Sequence, residues 1–177
     1  MKIIAIVAIS IDGKIAINSH HSSDWTSPED KIFLHNLLDN SNVVIVGNNT
    51  YKNAIKPLSK RKCIVFTNSV DTILKKSDNL VYCNPQNIKL SDLIRDYEIV
   101  ALLGGTQTYT YFLKNNLIDE LFITIEPLIF GKGLSIFDCA DEKPNRFQLL
   151  SVKKLNNSGS LLLHYKNENH SANFKKL

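Results

Sequence analysis

Short apolar runs at Ile3–Ile9, Val43–Val46, Ile64–Phe66 and Ile99–Leu103 constrain the fold of this chain more than any other feature. Each is rich in Val and Ile, lacks alternation with polar residues, and is closed by polar residues or glycine. That is the pattern of strands covered on both faces. Helix-like segments lie between the runs, as an α/β sheet requires. The clearest runs from a cap at Ser27 to about Asp39: Pro28 suits its first turn, and Glu29 and Asp30 favour its positive end. Leu90–Tyr97 and Thr106–Asn115 are further expected helices, the second opening just after Gly104-Gly105.

Beyond residue 120 the character changes. Leu121–Ile125, Arg146–Leu155 and Leu161–Lys166 read as strands, the last two joined through Asn156-Asn157-Ser158-Gly159 as a hairpin. The expected sheet is therefore mixed and mostly parallel, with an antiparallel C-terminal edge. A chain of 177 residues holds one well-filled core. Residues 1–166 are expected to form a single domain, and 167–177 a polar, frayed tail.

Composition excludes several classes. No apolar run approaches a membrane span, and the N-terminal stretch ends in Ser-Ile-Asp-Gly without the small-residue cleavage site of a signal peptide. A cytoplasmic, soluble protein without a membrane partner is expected. Cys63, Cys83 and Cys139 are odd in number and widely spaced, which suits reduced thiols and neither a disulfide framework nor a zinc site. The net charge of +4 favours anionic small molecules. The basic residues are scattered without aromatic interleaving, which argues against nucleic acid. No histidine pair has ligand spacing, so no metal is expected. Hydrolase chemistry has little support, because Ser10 and Ser135 lack a nucleophile-elbow pattern and Cys63 lies in an apolar strand. The C-terminal strands leave monomer and homodimer equally open.

Asp30 is the candidate acid. At helical spacing Phe33, Leu34, Leu37 and Leu38 form one apolar stripe, and Asp30 falls near its centre while Glu29 points aside. An inward carboxylate resists ionising and needs a partner, which makes it a poised acid or a ligand for a cationic or amide-bearing group. The alternative is that Asp30, three residues after Ser27, only completes a capping box. Gly104-Gly105 and Gly47, the latter followed by Asn48, Asn49 and Thr50, each follow an apolar strand. Either glycine turn alone is ordinary strand-to-helix geometry. Two in one sheet favour a dinucleotide crevice.

These spacings resemble the dihydrofolate reductase family over most of the chain. Trp25-x-x-Pro28-x-Asp30 is similar to the family's stretch in which a tryptophan leads into the helix bearing the catalytic carboxylate. Gly47-x-x-Thr50-Tyr51, followed by Pro57-Leu58-x-x-Arg61, is similar to its first cofactor turn and the arginine that grips the glutamate carboxylate of folate. Gly104-Gly105-x-x-x-Tyr109 resembles the second cofactor turn, and Thr124 resembles the threonine bonded to the catalytic acid. The resemblance implies a three-layer αβα fold and NADPH-dependent hydride transfer to dihydrofolate, with NADH left open. Asp30, Trp25, Thr124 and Tyr109 would be the catalytic group. Ile6, Val7, Asp30, Leu34, Arg61 and Thr124 would hold substrate. Ala8 and Ile15, the turn Gly47, Asn48, Asn49 and Thr50, the segment Thr67, Asn68 and Ser69, and the run Leu103, Gly104, Gly105, Thr106, Gln107, Thr108 and Tyr109 would hold cofactor. Asn48, Asn49 and Gln107 stand where many members carry basic residues, and the loop Ile17 to Asp24 is longer and more polar than usual.

A second resemblance is to the reductase domain of riboflavin biosynthesis, which has the same fold and acts on a ribosylamino-pyrimidine phosphate. Ser10-Ile11-Asp12-Gly13-Lys14-Ile15-Ala16, Ile118-Asp119-Glu120-Leu121, Pro127 and Gly131-Lys132-Gly133 carry it. Leu103 replaces that family's usual glutamate and Ala54 its aspartate, and no zinc-binding deaminase signature occurs. Trp25, Asp30 and Arg61 favour folate. A non-catalytic nucleotide-binding module is the third reading, opposed by the cost of an idle buried acid.

Overall fold

The computed structural model describes residues 1–138 and 144–168. In chain order the elements are β1 (Lys2–Ser10), β2 (Lys14–Ala16), α1 (Pro28–Asp39), β3 (Val43–Gly47), α2 (Asn48–Asn53), α3 (Ile55–Leu58), β4 (Cys63–Phe66), β5 (Ile73–Ser77), β6 (Leu80–Cys83), α4 (Leu90–Ile94), β7 (Ile99–Leu102), α5 (Thr106–Lys114), β8 (Glu120–Glu126), β9 (Leu134–Ser135), β10 (Phe147–Lys154) and β11 (Leu161–Asn167). The main sheet has the order β10-β11-β8-β1-β7-β3-β4-β6-β5, while β2 and β9 pair separately. Pairing is parallel from β8 through β6 and antiparallel where β11 joins β8, where β10 joins β11 and where β5 joins β6.

Alternate residues of the central strands feed two cores. Ile3, Ala5, Val43, Ile45, Val100 and Leu102 pack with Leu90 and Ile94 of α4 and with Phe112 and Leu113 of α5. Ile4, Ile6, Val44, Val46 and Ala101 face Leu38, Tyr51 and Leu58 on the other side. Helices thus cover both faces of the sheet, a three-layer α/β fold, and the unbroken apolar runs follow from that burial.

The fourth helix is shorter than its pattern suggests and ends at Ile94. Asn167 does not begin a tail. It pairs with Phe147 as the last residue of β11 and its side-chain amide donates to the Ile118 carbonyl at 2.9 Å. The rest of the expected tail from residue 169, and Cys139, lie outside the described residues. No helix among the described residues is long and apolar enough to cross a membrane.

The site follows from where pairing stops. Strand β1 pairs with β7 only as far as Ala5↔Leu102, and β3 pairs with β7 only as far as Ile45↔Leu102. Beyond Ala5, β1 continues against β8 alone to Ser10. A gap therefore opens at the C-terminal ends of three adjacent parallel strands, the position where open α/β sheets bind ligands.

Candidate active site

Opening the sheet leaves backbone groups that need partners. The Ile6 carbonyl accepts from the Tyr109 hydroxyl, reaching across from α5. The Gly47 amide donates to the Gly104 carbonyl at 2.6 Å, which locks the two glycine turns together. A Cβ on Gly47 would sit 2.8 Å from Thr108 Oγ1 and 3.3 Å from both Gly104 O and Gly105 N. Glycine is required there by close approach, since the backbone of Gly47 is ordinary extended chain (φ −72°, ψ 150°). Gly104 has φ +73°, and its peptide bond to Gly105 is cis. Helices α2 and α5 begin at these turns without side-chain caps, and their first-turn residues Asn48, Asn49, Thr50, Thr106 and Gln107 line the cleft.

The cleft has a volume of about 1090 Å³, more than one drug-sized ligand needs. Of the expected residues it is lined by Ile6, Val7, Ala8, Ile15, Trp25, Asp30, Leu34, Gly47, Asn48, Asn49, Thr50, Thr67, Asn68, Leu103, Gly105, Thr106, Gln107, Thr108 and Tyr109. The polar loop after β2 contributes Asn18, Ser19, His21, Ser22 and Ser23. Trp25 is set by an edge contact with Phe130, their ring centroids 5.0 Å apart.

The expected residues Thr124, Gly104, Ser69 and Arg61 are not among the lining residues. Thr124 is buried behind Asp30, and Gly104 is covered by Tyr109 and Gly47. The Ser69 amide is turned inward onto Thr67 Oγ1 at 3.1 Å. Arg61, expected to pair with a substrate carboxylate, has protein partners here. Its guanidinium is paired with Asp39 on the last turn of α1 and donates to the Pro57 carbonyl, while its Nε is buried without a partner. In this arrangement it is not presented to a ligand in the cleft.

Asp30 is 6% exposed, as the helical stripe predicts. Burial pushes its carboxyl above the usual carboxylate range, against the hydroxyls of Thr124 and Thr26, which hydrogen-bond to it; the nearby Glu126 raises it further. The capping alternative is resolved by the partners of Ser27. Ser27 Oγ accepts from the Asp30 amide at 3.3 Å, so Ser27 is the cap. The reciprocal half of a capping box would send the Ser27 amide to Asp30. It goes instead to Glu126 Oε1, at 2.7 Å. The Asp30 carboxyl is thus left to face the cleft. Tyr109 is buried, and burial together with Asp30 raises its phenol, so it stays neutral.

Thr26 and Glu126 were not anticipated. Strand parity was the available signal for Glu126, because it stands two residues after Thr124 in β8 and shares its inward face.

The glycine cradle, the uncapped helix starts and the cleft volume fit an extended dinucleotide lying beside a second ligand, with Asp30 at the inner wall. Fold and site together define an α/β reductase. The dihydrofolate reductase family model matches residues 2–158. The chain belongs to the dihydrofolate reductase family. It is 25% identical over 146 residues to the uncharacterized protein YwjB of Bacillus subtilis, a match covering 77% of this chain and 82% of the relative. It is 26% identical to the riboflavin biosynthesis protein RibD of Aquifex aeolicus over 88% of this chain, but spans only 54% of that protein. A pyrimidine reductase-like protein from Corynebacterium diphtheriae superposes with a TM-score of 0.73 at 15% identity, over 94% of this chain and 91% of the other.

Proposed function

We propose that this chain reduces the C=N bond of the ring-opened imine form of a phosphorylated ribosylamino-pyrimidine, in which the sugar C–O bond has broken to leave a hydroxyl, the reductase step of riboflavin biosynthesis, with NADPH as hydride donor. The observation that carries the reading is a buried acid opening onto a cleft of about 1090 Å³, room enough for a dinucleotide and a second ligand. Similarity to RibD over most of this chain supports the pyrimidine substrate, and the engagement of Arg61 with Asp39 weighs against folate.

The bound nicotinamide would supply hydride to the carbon of the C=N bond. Gly47 and Gly105 admit the cofactor backbone, and the first turns of α2 and α5 offer amides to its phosphates. With Asn48, Asn49 and Gln107 in place of basic side chains, that grip comes from backbone dipoles. Asp30, holding its proton above the normal carboxylate range, donates it to the nitrogen as the carbon accepts hydride. Thr124 and Thr26 keep the carboxyl oriented, and Trp25 and Leu34 exclude water beside it.

Dihydrofolate reduction is the second reading, favoured by the pairing of Asp30 with Thr124. Loss of reduced-nicotinamide absorbance is the test, with each substrate supplied alone. Turnover of the pyrimidine phosphate is expected. Turnover of dihydrofolate alone would transfer the assignment, and none with either would leave a nucleotide-binding module.

A further inference from the structure

Glu126 is 3% exposed at the end of β8, yet it does not line the cleft. Its Oε1 accepts from both the amide and the hydroxyl of Ser27 at 2.7 Å. Its Oε2 accepts from the Ser160 hydroxyl at the mouth of the β10–β11 hairpin. Asn156 in that hairpin donates to Ser160 Oγ at 2.9 Å and to Glu29 Oε2 at 3.1 Å. The start of a 12-residue helix is thus tied to the sheet through one buried carboxylate, and to the hairpin through that carboxylate and through Glu29.

We propose that Glu126 is a positioning residue: it anchors the first turn of α1 to β8 and the hairpin and thereby fixes the Asp30 carboxyl at the inner wall of the cleft. The proposal rests on Asp30 serving as the acid of the reductase. Structural stapling alone does not require a charge, because a serine cap and an apolar contact would hold the turn. Glu126 also acts on the acid itself, raising the pKa of Asp30 by its charge. The groups acting on Asp30 come from four elements: Lys31 on α1, Thr26 in the preceding segment, Thr124 and Glu126 on β8, and Tyr109 on α5. Lys31 favours the ionised form. So do Thr124 and Thr26, while burial, the largest influence, and Glu126 oppose it.

Glu126→Gln preserves an oxygen for Ser27 and removes the charge. In carbon-13 titration of the Asp30 carboxyl, its midpoint should move to lower pH than in the wild type. In turnover, kcat at pH 8 should fall about threefold to tenfold while staying within about a factor of two at pH 5. An unmoved Asp30 titration overturns the proposal, as does a loss of kcat equal at all pH values. Ser160→Ala keeps the charge and releases one arm of the anchor. It should speed amide hydrogen exchange at Ser27 and Asp30 and lower kcat several-fold without raising the KM for NADPH. Wild-type exchange and kcat in this variant also overturn it, even where Glu126→Gln does not fold. The titration and exchange readouts need no substrate. If the wild type turns over neither substrate while the Asp30 midpoint still moves, the assigned reaction fails and the Glu126 anchor stands.

Discussion

Gly47→Ala tests whether the two glycine turns form one cofactor cradle. The added methyl lies 2.8 Å from Thr108 Oγ1, about 0.6 Å inside ordinary contact at 3.4 Å, with the backbone atoms Gly104 O and Gly105 N at 3.3 Å behind it. The Gly47 φ of −72° suits alanine, so the whole effect is steric. Thr108 is buried in the first turn of α5, and the 2.6 Å bond from Gly47 N to Gly104 O would have to lengthen as the turns part. Overpacking of this kind costs about 1–3 kcal/mol. Expressed at the cofactor, that is a rise of roughly fivefold to a hundredfold in the Kd for NADPH. Calorimetric titration measures it. Thr108→Ala removes the oxygen in the way, so a double-mutant cycle should return about 1 kcal/mol or more of favourable coupling. Binding by Gly47→Ala within about twofold of wild type, or strict additivity in the cycle, would refute a shared cradle.

Asp30→Asn should lower turnover by about a hundredfold to ten-thousandfold, as expected for loss of a general acid, with the Kd for NADPH nearly unchanged. The same variant should be more stable than wild type at neutral pH. The folded-state pKa of Asp30 lies above the ordinary aspartate value of 3.8, so the native state binds the extra proton between the two, and stability falls as pH rises through that window. The advantage of the variant should vanish below pH 3.8 in thermal melts; an advantage that persists in acid would place its origin elsewhere. Arg61→Ala should leave the substrate KM unchanged and lower stability by about 1 kcal/mol, since its partner Asp39 is largely exposed. A several-fold rise in KM would show the guanidinium reaching the ligand. Burial pushes the thiols of Cys63 to about 11 and Cys83 to about 12, so both should resist an aromatic disulfide reagent at pH 8 until the protein is unfolded.

The central strands were legible because both of their faces are buried, which leaves no polar residue to break the run. The same logic explains what was not legible. All of β5 is exposed, with Lys75 and Lys76 inside it, and it exists through its backbone pairing with β6. Strands β2 and β9 contain three and two residues, too few for any period. Side-chain orientation was the harder matter. The resemblance carried by Pro57-Leu58-x-x-Arg61 implies a ligand role for Arg61, but its direction is decided by Asp39, 22 residues earlier on another element. The inward placement of Asp30 was readable because it follows from the turn Asp30 occupies and the stripe it joins, whereas the partners of its first turn come from β8.

The sequence Ser27-x-x-Asp30 presents a conflict that local rules do not resolve. As a capping box it spends the carboxyl on the helix's own amide, and as an acid it needs that carboxyl free. The positive end of a helix also favours ionisation, the opposite of what a proton donor requires. Tertiary structure removes both difficulties from outside the helix. Glu126 takes the Ser27 amide and hydroxyl, so the first turn stays capped while Asp30 is released. Burial and the Glu126 charge then outweigh the threonine hydroxyls and Lys31, and the net shift of Asp30 is upward. The upward shift at a helix N-terminus is therefore a product of burial first, with Glu126 of β8 adding to it and Thr124 of the same strand opposing it. This is why neither the helix pattern nor the capping rule, applied alone, distinguishes a stabilising acid from a reacting one.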